Sequence, residues 1–230
     1  MTHNETPQRI YHRREISIAD YLMSFQHALE DEFMGPYSSL ADAARVTTPS
    51  FSGRNDIAKV YLDQLVQHND STPDLKMWRA RGLKYVHEDI GQHWQEENPY
   101  VIKRYPTAMK LINEFGNDCP IANYSLLGPN SKINRHTGVE NRSGEFVRIH
   151  IPLIVPKGDI FFEVGGEIVT WDDLFAFNNQ FVHSAHNNTP EWRLCFLIDI
   201  SRKRLGLPPG VPYKKMKHLN VPDSRFGAEV

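Results

Sequence analysis

Cysteine is scarce in this chain. Cys119 and Cys195 are the only two, and no C-x-x-C is present. That excludes a disulfide framework, and buried free thiols in a reducing compartment are the expectation. No apolar run approaches the roughly 18 residues of a membrane-spanning helix. The opening stretch MTHNETPQRIYHRRE has no apolar segment of the kind a secretory signal needs. Charge of one sign is also lacking. Lys and Arg number 26 against 28 Asp and Glu, a formal net charge of −2, so the broad basic surface of a nucleic-acid binder is not expected. Internal repeats and low-complexity tracts are absent. These absences leave a cytoplasmic protein with no membrane and no nucleic-acid partner.

What is present is a chain of 230 residues, 40% hydrophobic and 11% aromatic. That length suits one domain with a sizeable core. Residues 1–16 are polar and read as a flexible arm. From Ser17, apolar residues recur at three and four (Ile18, Tyr21, Leu22, Phe25, Leu29, Phe33), which predicts a helix ended by Gly35-Pro36. A short helix within 38–54, a helix over Asp56–His68 and another over Thr107–Phe115 follow. Trp78 and Trp94 read as packing between helices. After Gly116 the period falls to two. Strands are predicted at Ile121–Leu127, Phe146–Val155, Asp159–Val164, Glu167–Trp171, Leu174–Asn178 and Arg193–Ile200. Helices in one run and strands in the next give an α+β class, with a barrel or jelly roll in the second half. The reading is one domain over 17–205, mainly helical over 17–116 with the β core over 117–205, and an extended tail over 206–230.

Eleven histidines are present. Those in the predicted helices and polar ends need no special role. His136, His150, His183 and His186 lie in the β half. Arg148 and His150 alternate on FVRIHIP, so both side chains share one face. Arg193 opens the apolar strand RLCFLIDI, where an unpaired burial is costly. It therefore points to solvent or meets an acid. The polar face of these strands is either the solvent side of an antiparallel sheet or the interior of a site. Two imidazoles from different strands, His136 and His183, can hold a divalent ion. The stretch NRHTG places Gly138 where a His-x-Asp pair would begin a non-haem iron site.

At this point the segments YPTAM, NYSLLGP, RHTG, RIHIPLIVPKG, FNNQFVHSAHN and RLCFLIDI bear on identity together. In that order, over Arg104–Arg204, they resemble the aspartyl/asparaginyl β-hydroxylase family of Fe(II)- and 2-oxoglutarate-dependent oxygenases. The resemblance implies a double-stranded β-helix, a cupin-like jelly roll, with helices packed outside. It implies that His136 and His183 bind iron and that Gly138 stands where related oxygenases have a carboxylate ligand. Arg193 then binds the distal carboxylate of 2-oxoglutarate with help from Ser125, and Arg148 and His150 lie near its other end. The implied reaction consumes O2, converts 2-oxoglutarate to succinate and CO2, and hydroxylates an unactivated C–H.

Three departures stand out. Phe146 occupies the position two before Arg148 where members place a substrate-binding arginine. Asn178-Asn179 replaces a usual Asp-Asp. The N-terminal half shows no match that can be placed. The substrate is therefore a small molecule, an amino acid or a peptide. A halogenase using the open position at Gly138 is the alternative within the chemistry, and a non-catalytic cupin-like binding protein is the alternative outside it. His186 reads as a surface or supporting residue. Glu140 is a conceivable stand-in carboxylate that no spacing requires.

Overall fold

The computed structural model describes residues 7–49, 77–87, 92–138 and 141–216. The helices come first and each has a local cause. Ser39 caps Leu40–Val46 by accepting from the Asp42 amide. Asn98 caps Pro99–Arg104 in the same way, and Pro106 opens Pro106–Phe115, where its missing N–H is harmless. Ala108, Met109, Leu111, Ile112 and Phe115 form the buried side of that last helix. Glu32, on the helix Gln26–Met34, accepts from the Thr107 and Ala108 amides at 2.7 and 2.9 Å. It thereby ties two helices together and places a carboxylate at a helix N-terminus.

Two antiparallel sheets follow. The larger holds β1 (Ile10–His12), β2 (Thr48–Pro49), β3 (Trp78–His87), β4 (Gln92–Gln95), β5 (Ile121–Leu127), β7 (Phe146–Ile154), β10 (Phe175–Phe177) and β12 (Arg193–Ser201). Its order is β1-β10-β7-β12-β5-β3-β2, with β4 beside β3. The smaller, ordered β6-β11-β8-β9, holds β6 (Ser131–His136), β8 (Ile160–Val164), β9 (Glu167–Val169) and β11 (His183–Asn187). β8 turns into β9 at Gly165 and Gly166, whose φ values of 56° and 89° suit glycine in a tight hairpin.

Strand alternation divides the core in two. Val147, Ile149, Ile151, Leu194, Phe196, Ile198, Tyr124 and Leu126 face the helices and pack with Leu29, Phe33, Leu111 and Ile112. Each such fully buried Leu or Phe contributes about 1.5–3 kcal/mol. The opposite faces look between the sheets, where Leu127, Cys195 and Leu197 meet Ile133, Phe162, Val164, Phe175, Phe177 and Ala185. The larger sheet is therefore covered on both sides. Arg148 and His150 are buried in the interior, and the solvent-face reading of these strands is excluded. This is the expected α+β, cupin-like double-stranded β-helix.

Several local expectations differ from what is observed. Residues 7–16 are no free arm, because Ile10–His12 pairs with Phe175–Phe177 as the edge strand of the larger sheet, with Ile10 and Tyr11 buried. Trp78 and Trp94 lie on paired strands, so the stretch 17–116 is less helical than its composition suggests. β6 and β11 are strands the sequence reading did not assign. Within the tail, Tyr213–Met216 forms a short helix whose Met216 is buried. The predicted helix over Asp56–His68 and the residue Glu140 lie outside the described residues. Among the described residues, no helix is long and apolar enough to cross a membrane.

Candidate functional site

The site is built where β6 ends and β11 begins. His136 and His183 are register partners across these strands, and a register shift follows between His183 and Ala185. Such a bulge re-aims a side chain at a strand end. The two rings lie 4.2 Å apart between centroids. His136 Nδ1 is 2.6 Å from the Asn134 carbonyl and His183 Nδ1 is 2.8 Å from the Phe181 carbonyl. A carbonyl only accepts, so each Nδ1 carries a proton, and a neutral ring then keeps the lone pair on Nε2. Burial, and then the neighbouring His136, push the His183 pKa well below its ordinary value and hold the ring neutral. Two imidazoles, each steered through Nδ1 by a carbonyl, are a donor set that can hold a divalent cation. Among the described residues no group of three or more His, Cys, Asp and Glu could hold a metal.

Gly138 lies two residues beyond His136. A Cβ built there falls 2.5 Å from Asn179 Nδ2 and 2.7 Å from Asn179 Cγ. The Gly138 amide donates to the Asn179 carbonyl at 2.7 Å, and Asn179 Oδ1 accepts from Asn141 Nδ2 at 2.9 Å. At the position where a His-x-Asp pair would extend a carboxylate, this chain therefore packs an asparagine amide against bare backbone.

Arg193 begins β12 and points inward at only 1% exposure. Neither of the two expected outcomes for it is found. It does not reach solvent, and its Nε and Nη1 are buried without a hydrogen-bond partner. Its guanidinium stands 4.7 Å over the Trp171 ring. Ser125 is on the adjoining strand, opposite Cys195 and diagonal to Arg193. Its hydroxyl oxygen accepts from Trp78 Nε1 at 3.3 Å, which leaves its O–H to donate elsewhere.

His150 and Arg148 share the interior face of β7 but have different surroundings. His150 Nδ1 accepts from Trp171 Nε1 at 2.9 Å, and Phe162, Phe175 and Phe177 surround the ring. Burial, then the charges of Arg193 and Arg148, push its pKa well below the ordinary value. Arg148 instead gives Nε and Nη2 to the two carboxylate oxygens of Asp199, at 2.7 and 2.9 Å. Of the six residues singled out in the sequence, His136 and His183 form one pair. His150 and Arg193 meet at Trp171, Ser125 sits beside them, and Arg148 is engaged by Asp199. His186 lies on the other face of β11, stacked 4.5 Å from Phe161.

Sequence reasoning missed Trp171, Trp78 and Asp199. Nothing marked the tryptophans, since each also reads as core. Asp199 had a signal. It is a carboxylate inside the apolar RLCFLIDI, and the buried arginine it answers lies inside an equally apolar strand.

No curated protein matches the chain. Among solved structures, a 2OG-Fe(II) oxygenase family oxidoreductase from Burkholderia pseudomallei is 14% identical, with a TM-score of 0.40 over 76% of this chain and 94% of that one. The cupin domain of Schizosaccharomyces pombe Cnp3 is 12% identical, with a TM-score of 0.32 over 57% of this chain and 73% of that one. A Thermotoga maritima protein described as a predicted oxalate decarboxylase is 16% identical, with a TM-score of 0.31 over 39% of this chain and 73% of that one. The profile of the aspartyl/asparaginyl beta-hydroxylases matches residues 50–203. That span takes in both paired histidines, the inward arginine and nearly all of the barrel, and the chain belongs to the aspartyl/asparaginyl beta-hydroxylase family, a family of hydroxylase-type oxygenases.

Proposed function

We propose that the protein is a dioxygenase that requires Fe(II), 2-oxoglutarate and O2 and hydroxylates an unactivated C–H of a small molecule, amino acid or peptide. The observation that carries this reading is Arg193, a guanidinium at 1% exposure with two nitrogens, Nε and Nη1, lacking any acceptor. A buried, unsatisfied fork costs stability. A carboxylate entering from the barrel interior can satisfy one of these two nitrogens through a bidentate fork shared with Nη2.

The remaining residues fit the same pair of ligands. His136 and His183 are the two imidazoles that would hold the iron. Ser125 keeps a hydroxyl proton for the carboxylate held by Arg193. When bound, iron would supply activation of O2 for C–H cleavage, with O2 as the oxidant and 2-oxoglutarate as the two-electron co-reductant that leaves as succinate and CO2. The protein binds, orients and shields. Phe162, Phe175 and Phe177 pack around His150, and Phe162 and Phe177 also flank His183, keeping water from the interior. Arg148 supports the site through Asp199 and does not spend its fork on the cosubstrate. Both cysteines are free and buried, which suits a reducing compartment and a cytoplasmic location.

The test is an anaerobic visible spectrum of the protein with Fe(II) and 2-oxoglutarate, alongside His136→Ala and Arg193→Ala. A weak charge-transfer band in the wild type that is lost in both variants supports the reading. No band in folded, iron-loaded wild type overturns it. Product mass with and without chloride then separates hydroxylation from halogenation.

A further inference from the structure

Trp171 is 2% exposed and lies just beyond β9, and it touches both Arg193 and His150, which the family resemblance places at opposite ends of the cosubstrate. Its Nε1 is 2.9 Å from His150 Nδ1, and its ring lies 4.7 Å beneath the Arg193 guanidinium. The indole and imidazole planes differ by only 18°, with centroids 6.0 Å apart. Combined with the short N–N contact, this is an edge-to-edge hydrogen bond in the plane of both rings.

An indole nitrogen only donates. His150 Nδ1 must therefore accept, and the single proton of the neutral ring sits on Nε2. That nitrogen is on the far side of the imidazole from Trp171. In the other tautomer a lone pair would take its place, and a lone pair repels an anion. A buried histidine with no such partner has no fixed preference between the two forms.

We infer that Trp171 is a positioning residue: its indole N–H fixes His150 as an Nε2–H donor for a carboxylate of the cosubstrate, while its ring seats the Arg193 fork that takes the same ligand. This rests on the 2-oxoglutarate reading above. One tryptophan then couples the two binding groups. A cation–π contact of this kind orients a guanidinium without using any of its N–H donors. That matches the unpartnered Nε and Nη1 of Arg193.

The test reads the tautomer directly. The full metal-free chain is labelled with 15N in its histidine rings, and the His150 signals are assigned by their loss in His150→Gln. The wild type is expected to show a protonated Nε2 and a bare Nδ1. Trp171 is then replaced site-specifically by its benzothienyl isostere, which keeps the shape and lacks the N–H, and in parallel by Phe. In both variants His150 is expected to lose its single tautomer. Calorimetry with redox-silent Mn(II) is expected to show 2-oxoglutarate binding weakened about tenfold, as for one lost hydrogen bond. A protonated Nδ1 in the wild type overturns the inference, and that spectrum depends on no variant folding. An unchanged His150 spectrum and unchanged affinity in the isostere variant also overturn it. If the wild type shows the expected tautomer but binds no 2-oxoglutarate, the oxygenase reading fails and takes the cosubstrate role of Trp171 with it.

Discussion

Asp199 holds Arg148 through both carboxylate oxygens, at 2.7 and 2.9 Å, from the register position directly opposite on the neighbouring strand. Both residues are buried, at 1% and 8% exposure. Arg193, on the same interior face, has no such partner for its Nε and Nη1. The two arginines therefore divide the work. One spends its charge on the fold, and the other keeps two donor nitrogens without an acceptor.

The first prediction concerns the engaged arginine. Asp199→Ala leaves a guanidinium buried beside its lost partner, and breaking a buried pair from one side costs about 3–5 kcal/mol. The double change Arg148→Met with Asp199→Leu removes both charges and is expected to cost clearly less. Urea midpoints of the two proteins check this. A single variant as stable as the wild type would show that the pair contributes nothing.

The second prediction reverses the sign at the other arginine. Arg193→Met deletes a buried cation with two unsatisfied donor nitrogens, each worth about 1–3 kcal/mol of penalty. The cosubstrate-free variant is expected to melt at or above the wild-type temperature while losing 2-oxoglutarate binding. Arg193→Lys keeps the charge without the fork and is expected to weaken binding about ten- to a hundredfold. Melting curves and calorimetry with Mn(II) read both. Normal binding by Arg193→Met would remove Arg193 from the site.

Much of this was legible in the chain. Ile121–Leu127 reads as a strand from its own composition and is one to the residue. The alternation of Arg148 with His150 placed them on one face, as observed. The side that face takes was not legible, because the helices and the second sheet that bury β7 come from distant segments. β6 and β11 escaped notice because SKINRH and HSAHN are polar, and only their pairing with each other and with β8 makes them strands. Ile10–His12 escaped for a related reason, since three residues carry no periodicity and the sheet edge recruits them. The contacts of Trp171 are purely tertiary.

A third prediction follows from His150. Its folded pKa is depressed, so at mildly acidic pH the unfolded chain takes up a proton that the folded chain refuses. Stability contributed this way is complete above the unfolded pKa of about 6.5 and is lost as pH falls below it, by about 1.4 kcal/mol per pH unit for one histidine. The metal-free protein is expected to be more stable to urea at pH 7.5 than at pH 5.5. His150→Gln, which has nothing to protonate, is expected to lose part of that dependence. An identical pH dependence in the two proteins would rule His150 out as a source.

The last prediction concerns Gly138 and Asn179. Replacing glycine by aspartate is the obvious way to complete a two-histidine, one-carboxylate site, and the geometry forbids it. The new Cβ would lie 2.5 Å from Asn179 Nδ2, and Asn179 is held by the Gly138 amide through its carbonyl and by Asn141 through Oδ1. The φ of Gly138 is outside the glycine-favoured region, so the obstacle is this neighbour and not the backbone. Gly138→Asp is therefore expected to cost about 1–3 kcal/mol from overpacking and to leave Mn(II) affinity no better than wild type. Gly138→Asp combined with Asn179→Gly opens the space and is expected to recover stability relative to the single variant and to bind Mn(II) more tightly than the wild type, since a third, charged ligand then reaches the ion. Melting temperature and Mn(II) titration on the three proteins separate the cases. If the single variant were as stable as the wild type and bound the metal more tightly, the asparagine would not be what fills the carboxylate's place.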